Sequence, residues 1–238
     1  MEMDTQHQAM GYDRAITMFS PDGRLMQVEY AKKTVKQGTT VVGLVCSDGV
    51  VVVSDKRIFD KLIVSESVEK IFQIDDHIAA AVSGLVSDGR VLIENAQVKS
   101  QQHKVTYDLP IDTLSLVKSI CDLKQICTQS GGLRPFGVSL MIVGVDDDGP
   151  KLFITEPSGI YFQYYAASIG EGSDEATEVL MKDYKKTLTV EQGIALGIKA
   201  LKESLKNEFK IERVEVAVIK SDEKKYRKCG KDEVKKCV

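Results

Sequence analysis

The chain has 238 residues, is 43% hydrophobic and 28% charged, and carries a formal net charge of −3 with both signs interspersed. That length can bury one substantial core or two small ones, and the lack of a concentrated basic face excludes a nucleic-acid binder. No apolar run approaches the ~18 residues of a membrane span, the polar, acidic N-terminus lacks a signal-peptide pattern, and neither the five cysteines nor His7, His77 and His103 show metal-ligand spacing. The expectation is a cytoplasmic, reduced chain with no metal, no cofactor and no membrane or nucleic-acid partner.

In chain order, Ser20-Pro21-Asp22-Gly23 is a tight-turn signal, followed by a helical apolar stripe of Leu25, Val28, Ala31 and Val35. The β-branched runs 40–46 and 50–54 flank Ser47-Asp48-Gly49, a hairpin signal. A second hairpin is expected over 70–74 and 78–83, around Asp75-Asp76-His77. Two helices follow, one over 87–104 and one after Pro110, whose Leu116, Ile120, Leu123 and Cys127 share a face. The plan then repeats. Strands are predicted over 138–145, 151–155 and 160–168, helices over 174–185 and 190–207, and a last strand over 214–219. Thr189 and Gln192 have capping-box spacing ahead of a stripe formed by Ile194, Ile198, Leu201 and Leu205. The basic cluster 224–236, interrupted by Asp232 and Glu233, reads as a solvated tail.

Hairpins before helix pairs, twice over, exclude the βαβ alternation of a parallel sheet. Two antiparallel sheets packed face to face with helix pairs outside would bury both faces of each sheet. The expected fold is α+β, a four-layer α-β-β-α sandwich. With no Pro/Gly/Ser-rich linker, one domain is expected over 1–238, comprising an N-terminal segment 1–20, a helix 21–37, the sandwich 38–220 and the tail 221–238.

Four segments carry a resemblance. The first runs Tyr12-Asp13-Arg14-Ala15-Ile16-Thr17-Met18-Phe19-Ser20-Pro21-Asp22-Gly23-Arg24-Leu25 and continues through Gln27-Val28-Glu29-Tyr30-Ala31. The others are Ser67-Val68-Glu69-Lys70-Ile71, Ser83-Gly84-Leu85-Val86-Ser87-Asp88, and Thr128-Gln129-Ser130-Gly131-Gly132-Leu133-Arg134-Pro135-Phe136-Gly137. Together they resemble proteasome α subunits of archaeal type, in order as far as about Ile219; a stretch so long and chemically varied is a specific signal. The resemblance implies the N-terminal-nucleophile (Ntn) hydrolase fold. It also implies a ring of seven such subunits stacked on inner rings of related β subunits, which carry the threonine nucleophile.

A rival reading comes from Gly38-Thr39-Thr40, which has in outline the junction at which a threonine peptidase frees its nucleophile. Asp55 and Lys70 fall where the catalytic subunits keep an acid and a lysine. Such an enzyme uses its own α-amino group as base. The turn and helix over 21–37 are more structure than a disposable leader needs, and with them attached Thr39 has only an amide nitrogen. A non-catalytic chain is therefore expected.

The remaining roles are implied by the resemblance. Tyr12, Asp13, Arg14, Pro21, Glu29 and Tyr30 would belong to a gate built with the polar N-terminal segment. Lys70, with Gly84, Leu85, Val86, Gly23, Arg24 and Leu25, would receive the C-terminal carboxylate of a regulatory ATPase or another activator. There Gly84 would permit close approach, and Leu85 and Val86 would supply apolar walls. Gly131, Gly132 and Arg134 would line the pore, with Arg134 expected as an ion-pair partner between subunits.

Overall fold

A computed structural model of the chain describes residues 10–58, 60, 62–64 and 67–237. His7 and the first nine residues of the expected gate segment lie outside them. The valines of β2 (Gly49–Asp55) explain why two sheets form. Val50 and Val52 enter one apolar cluster and Val51 and Val53 another. Alternate side chains leave a strand on opposite faces, so a strand covered on both sides reads as a continuous apolar run.

In the first sheet β2 pairs with β1 (Val41–Cys46) through the predicted hairpin, Cys46 opposite Gly49. With β8 (Ala166–Ile169), β9 (Val214–Lys220) and β10 (Tyr226–Lys228) the order is β10-β9-β2-β1-β8. The second sheet contains β3 (Ile71–Asp75), β4 (Ile78–Gly84), β5 (Val138–Asp146), β6 (Gly149–Thr155) and β7 (Tyr161–Gln163), in that order. Every pairing in both sheets is antiparallel.

Val41, Val50, Ile71, Met141, Leu152 and Ile219 fill the space between the sheets. Outside the first sheet lie α4 (Ser173–Asp183) and α5 (Val190–Leu205), packed through Leu180, Ile194, Ile198 and Leu201. Outside the second lie α2 (Val86–Tyr107) and α3 (Thr113–Gln129), packed through Leu92, Ile93, Leu116 and Ile120. The four layers are those expected, and the capping box at Thr189 and Gln192 forms. Lys124 of α3 is fully buried. Its Nζ donates to Val138 O at 2.9 Å and Thr155 Oγ1 at 2.8 Å, and burial pulls its pKa down to about 7.

Three local expectations need correction. The strand predicted over 160–168 is two strands in different sheets. Tyr164 N donates to Leu152 O at 2.9 Å in the second sheet, and Val45 N to Tyr165 O at 2.7 Å ties the next residue to the first. A bent apolar run has the same pattern as a straight one, so periodicity could not reveal the crossing. The tail is not solvated throughout. β10 pairs with β9, and α6 (Lys231–Lys236) buries Val234 at 3% exposure. Finally, α1 (Met26–Lys36) buries Met26 with Val28, Ala31 and Val35, whereas Leu25 is half-buried and bridges to Phe19.

Candidate functional site

The N-terminal signature folds as a turn and a clasp. Gly23 N donates to Ser20 O at 2.8 Å and Ser20 N to Arg24 O at 2.9 Å, with Gly23 at φ 73°. Pro21 fits the second position of such a turn because its ring presets φ. Pro21, Gly23 and Arg24 are exposed, as is Arg14. The clasp joins Asp13 to α1. Tyr30 OH donates to Asp13 Oδ2 at 3.3 Å and Gln27 Nε2 to Asp13 O at 2.5 Å. Gln27 sits inside the quoted signature, but nothing in the local pattern points to its reach back to Asp13 O. Tyr12 is half-buried. Glu29 faces Lys32 at 4.0 Å, and Lys32 lies closer, at 3.1 Å, to Glu156.

Behind α1 the chain passes through three glycines. A Cβ on Gly38 would lie 2.1 Å from Gly84 N, and one on Gly84, at φ 113°, would lie 2.3 Å from Gly137 O. Gly84 is thus required by the protein's own backbone packing. Leu85 and Val86, just beyond it, are 40% and 49% exposed.

Thr39 follows Gly38 and is buried. Its carbonyl accepts from Ser83 Oγ at 3.1 Å, and its hydroxyl is buried without a hydrogen-bond partner.

Lys70, just ahead of β3, is 6% exposed. Burial lowers its pKa, the charges of Asp55 and Glu215 oppose that fall, and Arg57 adds to it. Both carboxylates are already occupied. Asp55 accepts from Arg213 Nε at 2.8 Å and Nη2 at 2.6 Å. Glu215 Oε1 lies 2.5 Å from Lys228 Nζ, while its Oε2 accepts from the backbone N–H of Lys70 at 3.1 Å and of Ile71 at 3.2 Å. Among the described residues the Lys70 ammonium makes no hydrogen bond and no ion pair within 4 Å. Sequence reading missed Arg213, Glu215 and Lys228 because nothing local links them to Lys70.

The glycine loop is built differently from its expectation. Gly131 and Gly132 are exposed, with Gly132 at φ 87°. Arg134 binds Asp88 of its own chain in a bidentate pair, Nη1–Oδ2 at 2.5 Å and Nη2–Oδ1 at 2.6 Å, and Asp88 also accepts from Gly137 N at 2.9 Å. These contacts hold the Asp88 carboxyl below its usual range against the opposing effect of burial. Its best donor geometry is spent inside the chain, so Arg134 anchors its own loop.

Comparison with known proteins decides the family. The "Proteasome subunit" family pattern matches residues 35–219, and the N-terminal signature of A-type proteasome subunits matches residues 12–33. The chain belongs to the proteasome subunit family. It is 51% identical over 229 residues to the proteasome alpha subunit of Methanosarcina acetivorans, covering 96% of this chain and 93% of the relative. Identity to the proteasome alpha subunit of Methanosarcina thermophila is 52% over 225 residues, 94% of this chain and 91% of the relative. For that of Archaeoglobus fulgidus it is 48% over 226 residues, 95% and 92%. The signature and these relatives make this an alpha-type, non-catalytic proteasome subunit that assembles with other proteasome subunits in protein degradation, and the four-layer sandwich is the family's Ntn-hydrolase-like fold. Among the described residues no helix is long and apolar enough to cross a membrane.

Proposed function

We propose that this subunit forms a seven-membered outer ring, stacked on rings of β subunits in the cytoplasm, that gates substrate access and docks the C-termini of a regulatory ATPase or another activator. The observation supporting docking most directly is the ammonium of the largely buried Lys70, which has no partner among the described residues and whose two carboxylate neighbours are held by Arg213 and Lys228. An ammonium on a largely buried side chain, without a partner among the described residues, gains from an incoming terminal carboxylate, and such a charge-assisted hydrogen bond contributes ~1.5–3 kcal/mol. The exposed Leu85, Val86, Gly23 and Arg24 supply apolar and backbone surface beside the turn.

One such contact cannot invert a gate lying far toward closed, which needs ~5.5 kcal/mol of differential binding. Several tails docking around one ring reach that total through effective concentration. Docking displaces the Pro21 turn, and the Asp13–Tyr30 clasp passes that movement to the residues ahead of it. Polar N-terminal segments converging on the ring axis obstruct passage until then.

Peptide hydrolysis by assembled particles tests both halves. Lys70→Ala should remove stimulation by activator, and normal stimulation would refute the docking role. Deletion of residues 2–12 should raise hydrolysis without activator, and an unchanged basal rate would count against the gate.

A further inference from the structure

The C-terminal strand closes the side of the sandwich at which Lys70 lies. β10 is the edge of the first sheet and β3 the edge of the second. β10 and β3 are bridged by contacts at both ends of β3. Tyr226 N donates to Asp76 O at 2.6 Å, Tyr226 OH to Ile71 O at 3.5 Å, and Lys228 Nζ pairs with Glu69 at 3.4 Å and Glu215 at 2.5 Å. Glu215 is 7% exposed, and its two oxygens have divided tasks. Oε2 holds the backbone N–H groups of Lys70 and Ile71, and Oε1 takes Lys228.

We propose that Lys228 is a positioning residue for the Lys70 docking site, which it keeps receptive by occupying the Glu215 carboxylate that would otherwise bind the Lys70 ammonium. The inference rests on the docking reading above and adds a tail residue to it.

The argument is one of competition. A buried carboxylate seeks a cation, because an uncompensated charge away from water is costly. Glu215 already acts on Lys70 electrostatically. With Lys228 removed, Glu215 keeps only the backbone N–H groups of Lys70 and Ile71, the Lys70 ammonium is a cation that its charge already reaches, and an ammonium committed to Glu215 is a poorer receptor for an incoming carboxylate. Asp55, the other neighbour, needs no such help, because Arg213 and Arg57 both face it, the latter at 3.6 Å.

The test uses full-length chains assembled with β subunits and a synthetic C-terminal peptide of a regulatory ATPase, with the same peptide as its amide for background. For Lys228→Met the peptide concentration giving half-maximal stimulation should rise about tenfold, within the range of coupling between linked sites, while maximal stimulation is kept. Lys228→Arg should restore the wild-type value, and so should Glu215→Gln combined with Lys228→Met, since it removes the competing charge. An unchanged half-maximal concentration in Lys228→Met, with Lys70→Ala unresponsive, would overturn the role of Lys228 and leave docking at Lys70 standing. A Lys228→Met defect that the double variant fails to relieve would mean a purely structural role and would equally overturn it. A Lys70→Ala particle that still responds would refute the docking reading itself.

Discussion

Lys124 and Lys70 are both largely buried, but of the two only the Lys124 ammonium makes hydrogen bonds among the described residues. Lys124 lies under α3 among neutral oxygens, with Val138 O and Thr155 Oγ1 accepting from its amine. Lys70 stands at the start of β3 between two carboxylates that are each held by another cation. The first arrangement fills a core position and fixes a helix to a sheet. The second leaves a charge waiting for a counter-charge, and this is what a receptor for an anion requires. Burial of a lysine alone therefore says little about function; the state of its neighbours separates a packing residue from a binding one.

Substitution should expose the contrast. The largest effect is expected for Lys124→Ala, which removes a fully buried side chain and leaves Thr155 and Val138 short of a donor. Chemical denaturation of the isolated subunit should show a loss of ~2–5 kcal/mol. A midpoint near wild type would mean that Lys124 is not the core residue described.

An intermediate effect should follow pH. The folded pKa of Lys124 is about 7 against an ordinary 10.5, so between these values the unfolded chain binds a proton that the folded chain does not. Stability gained from this group rises with pH across that window, with a slope approaching ~1.4 kcal/mol per pH unit, and the penalty is complete below pH 7. Lys124→Met should flatten the slope; a slope unchanged in that variant would assign it to other groups.

The smallest effect is expected for Lys70→Met. No described hydrogen bond is lost there and both neighbouring carboxylates keep a partner, so stability should move by less than about 1 kcal/mol. A loss as large as that for Lys124→Ala would make Lys70 a structural residue and erase the distinction.

Several of these features could be read from the chain, and others could not. The hairpin at Ser47-Asp48-Gly49, the capping box at Thr189 and Gln192, and the valine run of β2 depend on neighbours a few residues away, so local pattern suffices. Tyr12 to Ala31 carried the family through a run of varied residues, and its Asp13–Tyr30 pair does meet. Lys124 gave no warning. It follows Ile120 by one turn on the face of Leu116 and Cys127, where a lysine reads as a polar interruption of the apolar stripe, and only a backbone carbonyl and a threonine hydroxyl aimed into the core make its burial tolerable. The tail misled for a related reason: Tyr226 and Val234 are isolated among charges, and two apolar side chains do not make a period.

By itself, then, the sequence determined most of the strands and helices as far as β9, the four layers they must form, and membership of the proteasome subunit family. Tertiary structure alone decided that the run after Pro157 crosses between sheets, that Arg134 turns to Asp88 of its own chain, and that Lys70 meets Asp55, Arg213, Glu215 and Lys228. The reason lies in range. Backbone propensity and apolar periodicity act over one or two turns of chain, whereas charge partners are chosen by distance in space, and those around Lys70 come from segments up to 158 residues away.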